Sequence, residues 1–139
     1  MLIFDTNQLS EITRGSEIGR VLMQRARESG HPVATTIITI EEQLRGWFAQ
    51  IRRIRDVSKS VPYYAKVQQL LDLAAEWTIL PWDENAAATF KELSRHRTGI
   101  GSMDLKIASI VLAHAATLLS RNLRDFQRLP NLNVEDWLE

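Results

Sequence analysis

Four acidic residues of this chain each stand where a short apolar run stops. Asp5 follows Leu2-Ile3-Phe4, Glu42 follows Val33 to Ile40, Asp104 sits at the mouth of a long apolar helix, and Asp125 comes just after Thr117-Leu118-Leu119-Ser120. Apolar runs of this length, bounded by polar residues, read as strands buried on both faces. In open parallel sheets the ligand crevice lies outside the carboxyl ends of the strands. Acids delivered there by separate strands converge, and converging carboxylates repel unless they protonate or a cation screens them. The pattern therefore predicts an acidic, metal-binding nuclease site.

The rest of the composition narrows the setting. A chain of 139 residues suits a single domain, residues 1–139, with one proper core. Lys plus Arg and Asp plus Glu both total 17, so no global field draws the protein to nucleic acid and any attraction must come from local clusters. The absence of cysteine excludes disulfides and thiolate metal sites and suits a reducing, cytoplasmic location. Asp5 directly follows the first apolar residues with no basic leader before it, which argues against a secretory signal. The longest apolar stretch, Ile107 to Leu119, is too short to span a bilayer, so no membrane association is expected.

Hydrophobic periodicity organises the chain into alternating strands and helices. Leu2 to Asp5 reads as a first strand, with Ser10 or Ser16 capping a helical segment that carries Ile18, Val21 and Leu22. Val33 to Ile38 is a β-branched second strand, and Thr39 starts a long helix running through Trp47 and Phe48 to Ile54. After a polar break at Asp56 to Ser60, Pro62 opens a helix that ends near Trp77. Thr78 to Leu80 forms a third strand, and Asp83 caps a helix from Asn85 to His96. The loop Thr98-Gly99-Ile100-Gly101-Ser102 enters the helix of Asp104, Thr117 to Ser120 is a fourth strand, and Asn133-Val134 a fifth. Such alternation indicates βαβ units, and hence an α/β fold: a three-layer α/β/α sandwich around a mostly parallel sheet of four to five strands.

Each acid also has a purely structural account. Asp5-Thr6-Asn7 fits an Asx turn at a strand end. Thr39-Ile40-Glu41-Glu42 fits a capping box in which Glu42 reaches back to the Thr39 amide. Asp104 fits an acid in a first helical turn, favoured by the helix dipole. What structural caps do not explain is why all of these acids fall on the same end of the sheet.

Four segments together carry a resemblance: Leu2-Ile3-Phe4-Asp5-Thr6-Asn7, Thr39-Ile40-Glu41-Glu42-Gln43-Leu44-Arg45-Gly46, Ile100 to Ala108 around Asp104, and Leu118 to Phe126 followed by Pro130 and Trp137. In this order and spacing the chain resembles PIN-domain proteins of the VapC toxin family. The resemblance implies a magnesium- or manganese-dependent endoribonuclease, the toxin of a type II toxin–antitoxin pair, with RNA as substrate and a cognate antitoxin as partner. It matches Asp5, Glu42 and Asp104 to the family's first three acids, Glu42 being preferred to Glu41 because it stands four residues before Gly46. For the fourth position it leaves Asn122 and Asp125 as alternatives. Hard Mg²⁺ takes oxygen ligands and keeps several waters, so acids suffice without histidine or cysteine. Asp5 and Asp104 are expected to bind metal directly, Glu42 to orient a water or act as base, and Thr6 or Ser120 to support a ligand carboxylate.

Two basic clusters are candidates for RNA contact: Arg45, Arg52, Arg53, Arg55 and Lys59, or Arg121, Arg124 and Arg128. A solvated helix face is the plain alternative for the first. His31, His96 and His114 lack metal-ligand spacing, and His114, in an apolar helix, is expected to be buried. Trp47, Phe48, Ile51, Tyr63 and Tyr64 offer more aromatic and apolar surface than a small core hides, which predicts a homodimer. An aspartyl-phosphate phosphatase would need a second Asp where Asn7 stands. A catalytically silent PIN-like module that only binds protein or RNA is the remaining alternative, disfavoured by the joint presence of Asp5, Glu42 and Asp104.

Overall fold

The computed structural model describes residues 1–138. Strand β1 (Leu2–Phe4) leads into helices α1 (Thr6–Arg14) and α2 (Glu17–Ser29). β2 (Val33–Thr36) leads into α3 (Ile37–Arg53), a 3-10 turn (Val57–Ser60) and α4 (Val61–Glu76). β3 (Ile79–Leu80) precedes α5 (Glu84–Ser94) and α6 (Ser102–Ala113), β4 (Thr117–Leu119) precedes the one-turn α7 (Leu123–Phe126), and β5 is Asn133–Glu135. All pairings are parallel and the strand order is β3-β2-β1-β4-β5.

Alternation along the strands divides the core between the two faces of the sheet. Ile3, Ala34 and Leu118 meet α5, α6 and α7 through Leu93, Leu105, Ile107, Ile110 and Phe126. Leu2, Phe4 and Leu119 meet Leu22 and Ala26 of α2, and Leu9, Ile40 and Leu70 join α1, α3 and α4 alongside. Phe4, Leu118 and Leu119 are 0% exposed, and each such side chain contributes about 1.5–3 kcal/mol by leaving water. The result is the expected three-layer sandwich, with a fully parallel sheet of five strands.

Several boundaries differ from the sequence reading for identifiable reasons. The first helical segment is two helices: Gly15 takes a left-handed φ of 64° and ends α1, and Ser16 accepts from the Gly19 amide to cap α2. α1 starts at Thr6, capped by Asp5. β2 stops at Thr36, whose hydroxyl accepts from the Thr39 amide at 3.0 Å and makes Thr36 the cap of α3. Thr39 is thus inside the helix, and the capping box assigned to Thr39 and Glu42 does not exist. His114 is exposed at the end of α6 rather than buried, because the apolar phase of that helix runs out at Val111.

The topology also fixes where a ligand can sit. From β1 the chain builds outward through β2 to β3, then crosses to the other side of β1 for β4 and β5. The segments leaving β1 and β4 therefore diverge, opening a crevice at their carboxyl ends.

Candidate active site

Asp5 directly follows β1 and Ser120 directly follows β4, so both stand on the rim of that crevice. The Asp5 amide donates to the Leu119 carbonyl at 3.0 Å, which continues the β1–β4 pairing up to the acid itself. Asp5 is 7% exposed, and its carboxylate is held from two sides. Its own following amide, on Thr6, donates to Oδ1 at 2.7 Å, and the buried Ser120 hydroxyl donates to Oδ2 at 2.7 Å.

From Asp5 a chain of hydrogen bonds reaches the other acids. The Thr6 hydroxyl donates to Glu42 Oε2 at 3.2 Å, tying α1 to α3. On the β4 side the Asn122 amide N–H donates to Ser120 Oγ at 3.0 Å. The Asn122 side-chain Nδ2 then donates to Asp104 Oδ2 at 3.0 Å and to Asp125 Oδ2 at 3.2 Å. Asp5, Glu42, Asp104 and Asp125, carried by four different helices or their caps, are thereby joined through Thr6, Ser120 and Asn122. Asn122 meets the acids as a donor to both Asp104 and Asp125, so the two alternatives for the fourth position lie together. Arg128 approaches Asp125 at 3.9 Å.

The electrostatics follow from this crowding. Burial, and then the charges of Asp5 and Asp104, hold the Glu42 carboxyl above the usual carboxylate value, against a lowering by the Thr6 hydrogen bond. Burial and the Asp5 charge likewise raise Asp104, against the Asn122 hydrogen bond. Glu42 Oε1 is buried with no hydrogen-bond partner. An unpartnered buried carboxylate oxygen beside like charges fits a cation-binding set of hard oxygen donors. Among the described residues the acids do not close into a ready-made shell of three ligating side chains.

Of the two basic clusters, only Arg45 lines the cleft of Glu42 and Asp104, where it pairs with Glu41 at 2.8 Å. Arg52 and Arg53 are exposed in the last turn of α3 and Arg55 is exposed beyond it, and ten residues of helix separate Arg52 from Glu42 by about 15 Å. Arg121 and Arg124 are exposed beside Asn122.

The sequence matches the PIN domain over residues 2–132. The chain belongs to the PIN domain family. It is 27% identical over 137 residues to ribonuclease VapC1 of Rickettsia felis, covering 96% of this chain and 93% of that protein. A shorter match, 46% identical over 46 residues, is to ribonuclease VapC2 of the same organism and spans 33% of this chain and 34% of that protein. In fold, this PIN domain is similar to VapBC2 from Rickettsia felis solved bound to a DNA fragment from its promoter, with a TM-score of 0.73, 23% identity and 98% of both chains covered.

One contributor to the PIN site was not singled out from the sequence. Gln43 is buried, and its Nε2 donates to Ser10 Oγ at 3.1 Å and to the Thr6 carbonyl at 3.4 Å, bracing α3 against the first two turns of α1. Its signal was available: a polar residue three positions after Ile40, in the apolar phase of the helix.

Proposed function

We propose that this PIN-domain protein is a metal-dependent endoribonuclease of VapC type, the toxin of a toxin–antitoxin pair. The observation that carries the reading is the hydrogen-bonded set of four acids at the switch point of the sheet. The full-length likeness to a ribonuclease VapC1 supports it. When bound, Mg²⁺ or Mn²⁺ supplies the positive charge that screens the carboxylates and the phosphate and lowers the pKa of water, with Asp5 and Asp104 as its direct ligands.

The chain's own residues then have distinct work. Ser120 and the Thr6 amide fix both oxygens of Asp5, so that this acid is positioned before any substrate arrives. Glu42, with one oxygen held by Thr6 and the other free of partners, accepts the proton of the attacking water. Asn122 keeps Asp104 and Asp125 side by side, and Arg45 offers a cation to the RNA backbone at the mouth of the cleft.

The partners follow the same chemistry. An antitoxin arginine or lysine placed among the acids would take the position of the metal's charge and suppress cleavage. Phe48 and Tyr64, 41% and 56% exposed, are the surplus aromatic surface we assign to association, as a homodimer or with the antitoxin. Among the described residues no helix is long and apolar enough to cross a membrane.

The test is RNA cleavage by the purified protein freed of antitoxin. Cleavage is expected with Mg²⁺ or Mn²⁺, poorly with Ca²⁺, and not at all in excess chelator. Asp5→Asn and Asp104→Asn are each expected to remain folded and inactive. Cleavage that persists in chelator contradicts the metal mechanism, and a folded wild-type protein inert with every metal leaves a silent binding module.

A further inference from the structure

Beside the acids, between α1, α3 and α4, lies a cavity of about 380 Å³ that the nuclease chemistry does not use. Thr6 and Glu42 belong to its wall, so it opens directly onto the catalytic acids. Its other walls are chemically mixed. Trp47 presents a half-buried indole, buttressed by Tyr63 at a ring separation of 6.2 Å. Ser10 accepts from Gln43 and keeps its own proton to donate, and Gln50 adds an exposed side-chain amide. Lys66 of α4 lines the cavity, half-buried, and makes no ion pair among the described residues. Gly46 also lines the cavity, at an exposed position where an added Cβ would meet no atom within 4 Å.

We propose that this cavity holds the base of a nucleotide adjoining the scissile phosphate, stacked on Trp47, with Lys66 taking a flanking backbone phosphate. The inference rests on the nuclease reading above and says where that enzyme reads its RNA. An indole with hydroxyl and amide groups around it matches a base, which has a π face and a polar edge. Two cations line the cavity; Arg14 pairs with Glu11, so Lys66, which has no ion pair among the described residues, matches the phosphate that must accompany the base. The shared residues Thr6 and Glu42 place this base next to the reacting phosphate rather than far along the strand. Gly46 leaves its side of the cavity clear, which gives a physical reason for a glycine four residues beyond the catalytic glutamate in a helix where alanine would be more stable.

Two variants test it. Gly46→Leu puts a side chain into the open space, and Trp47→Leu removes the ring while keeping an apolar residue. Binding is read without metal, in chelator, as the fluorescence anisotropy of a fluorescein-labelled, mixed-sequence decaribonucleotide. Both variants are expected to bind about tenfold more weakly, the loss of one stacked base, with a melting temperature for Gly46→Leu no lower than wild type. With Mg²⁺, the positions cut in a mixed RNA pool, read by sequencing the new ends, should redistribute.

Wild-type protein that cuts RNA while both folded variants bind and cut identically overturns the subsite alone. Wild-type protein that neither binds nor cuts RNA overturns the nuclease reading and the subsite with it. Variants that treat RNA normally but escape inhibition by a co-expressed antitoxin give the cavity to a peptide, and that also overturns the proposal. Should Gly46→Leu fail to fold, Trp47→Leu decides by the same two readouts.

Discussion

Ser120 has a buried hydroxyl that donates to Asp5 Oδ2 and accepts from the Asn122 amide, so one atom sets the spacing between the β1 acid and the β4 loop. Ser120→Ala leaves both partners unsatisfied in the interior, at a cost of about 1–3 kcal/mol. The expected outcome is a lower denaturation midpoint and a weaker rise of melting temperature on Mg²⁺ titration; a full Mg²⁺ response would show that Asp5 needs no such support. Glu42→Gln is the sharper case. Because Thr36 caps α3, the glutamate has no capping duty, and the variant is expected to fold as well as wild type while losing most RNA cleavage. Normal cleavage by the folded variant would remove Glu42 from the chemistry. The raised carboxyls of Glu42 and Asp104 have a pH consequence whose sign is fixed. The native state holds their protons to higher pH than the unfolded chain does, so it binds more protons in that interval and loses stability as pH rises through it. Without metal, wild type should therefore lose more melting temperature between about pH 4.5 and pH 7 than the Glu42→Gln/Asp104→Asn double variant. Equal slopes would mean that neither burial nor the neighbouring acids raise these two carboxyls. Comparing the two proteins cancels Glu11 and Asp56, whose lowered values act in the opposite direction.

The elements were legible where periodicity and punctuation agreed. Pro62 in the first turn of α4 and Asp83 accepting from the Ala86 amide are the signals on which those helices were read. The start of α3 was not legible in the same way, because Thr36 and Thr39 are both competent caps in a β-branched run and only the position of β3 decides between them. Thr35 and Thr36 pair with Ile79 and Leu80, which holds the chain extended up to Thr36 and releases it into helix there. α1 was missed because its cap is the catalytic candidate Asp5, and a strand that turns into a helix within one residue leaves no loop to read. The crossing of α1 and α2 has its own test. A Cβ on Gly19 would sit 2.3 Å from the Glu11 carbonyl oxygen, a backbone clash that only separation of the helices relieves. Gly19→Ala should cost about 1–3 kcal/mol, whereas Gly46→Ala, facing open space inside α3, should gain about 0.5–1 kcal/mol. Thermal denaturation of the pair measures both, and similar melting temperatures would contradict the close helix crossing.

At the scale of the whole molecule, alternating apolar runs and helices were enough to anticipate a parallel sheet, and the sheet explains why the acids meet. The strand order was beyond the sequence. Three-residue strands such as β1 and β4 carry little to say which neighbour they choose, and the choice is made by the faces that α2 and α6 cover. Ser120 was expected to support a ligand carboxylate and donates to Asp5, whereas the role of Asn122 as a donor to both Asp104 and Asp125 was hidden, since it depends on β4 lying beside β1. Charge is the remaining molecular property. With 17 basic and 17 acidic residues the protein has no net pull on RNA, so a substrate must be held by a local track leading away from an acidic cleft. α3 supplies such a track geometrically: Arg45 lies at the cleft, and Arg52 follows it seven residues on, on the same face of the helix. Gly46 and Arg53 repeat the interval on the adjoining face, which carries the cavity wall towards Arg55 at the helix end. If RNA runs along this helix, reversing Arg52, Arg53 and Arg55 to glutamate should weaken binding to inactive Asp5→Asn protein. It should also reduce the slope of log affinity against log salt by about 2, at roughly 0.7 for each phosphate of the single strand that is no longer neutralised. A slope and affinity unchanged by the triple reversal would make these arginines a solvated face whose charges serve the α3 dipole, and would direct the search for the RNA path to Arg121 and Arg124 beside Asn122.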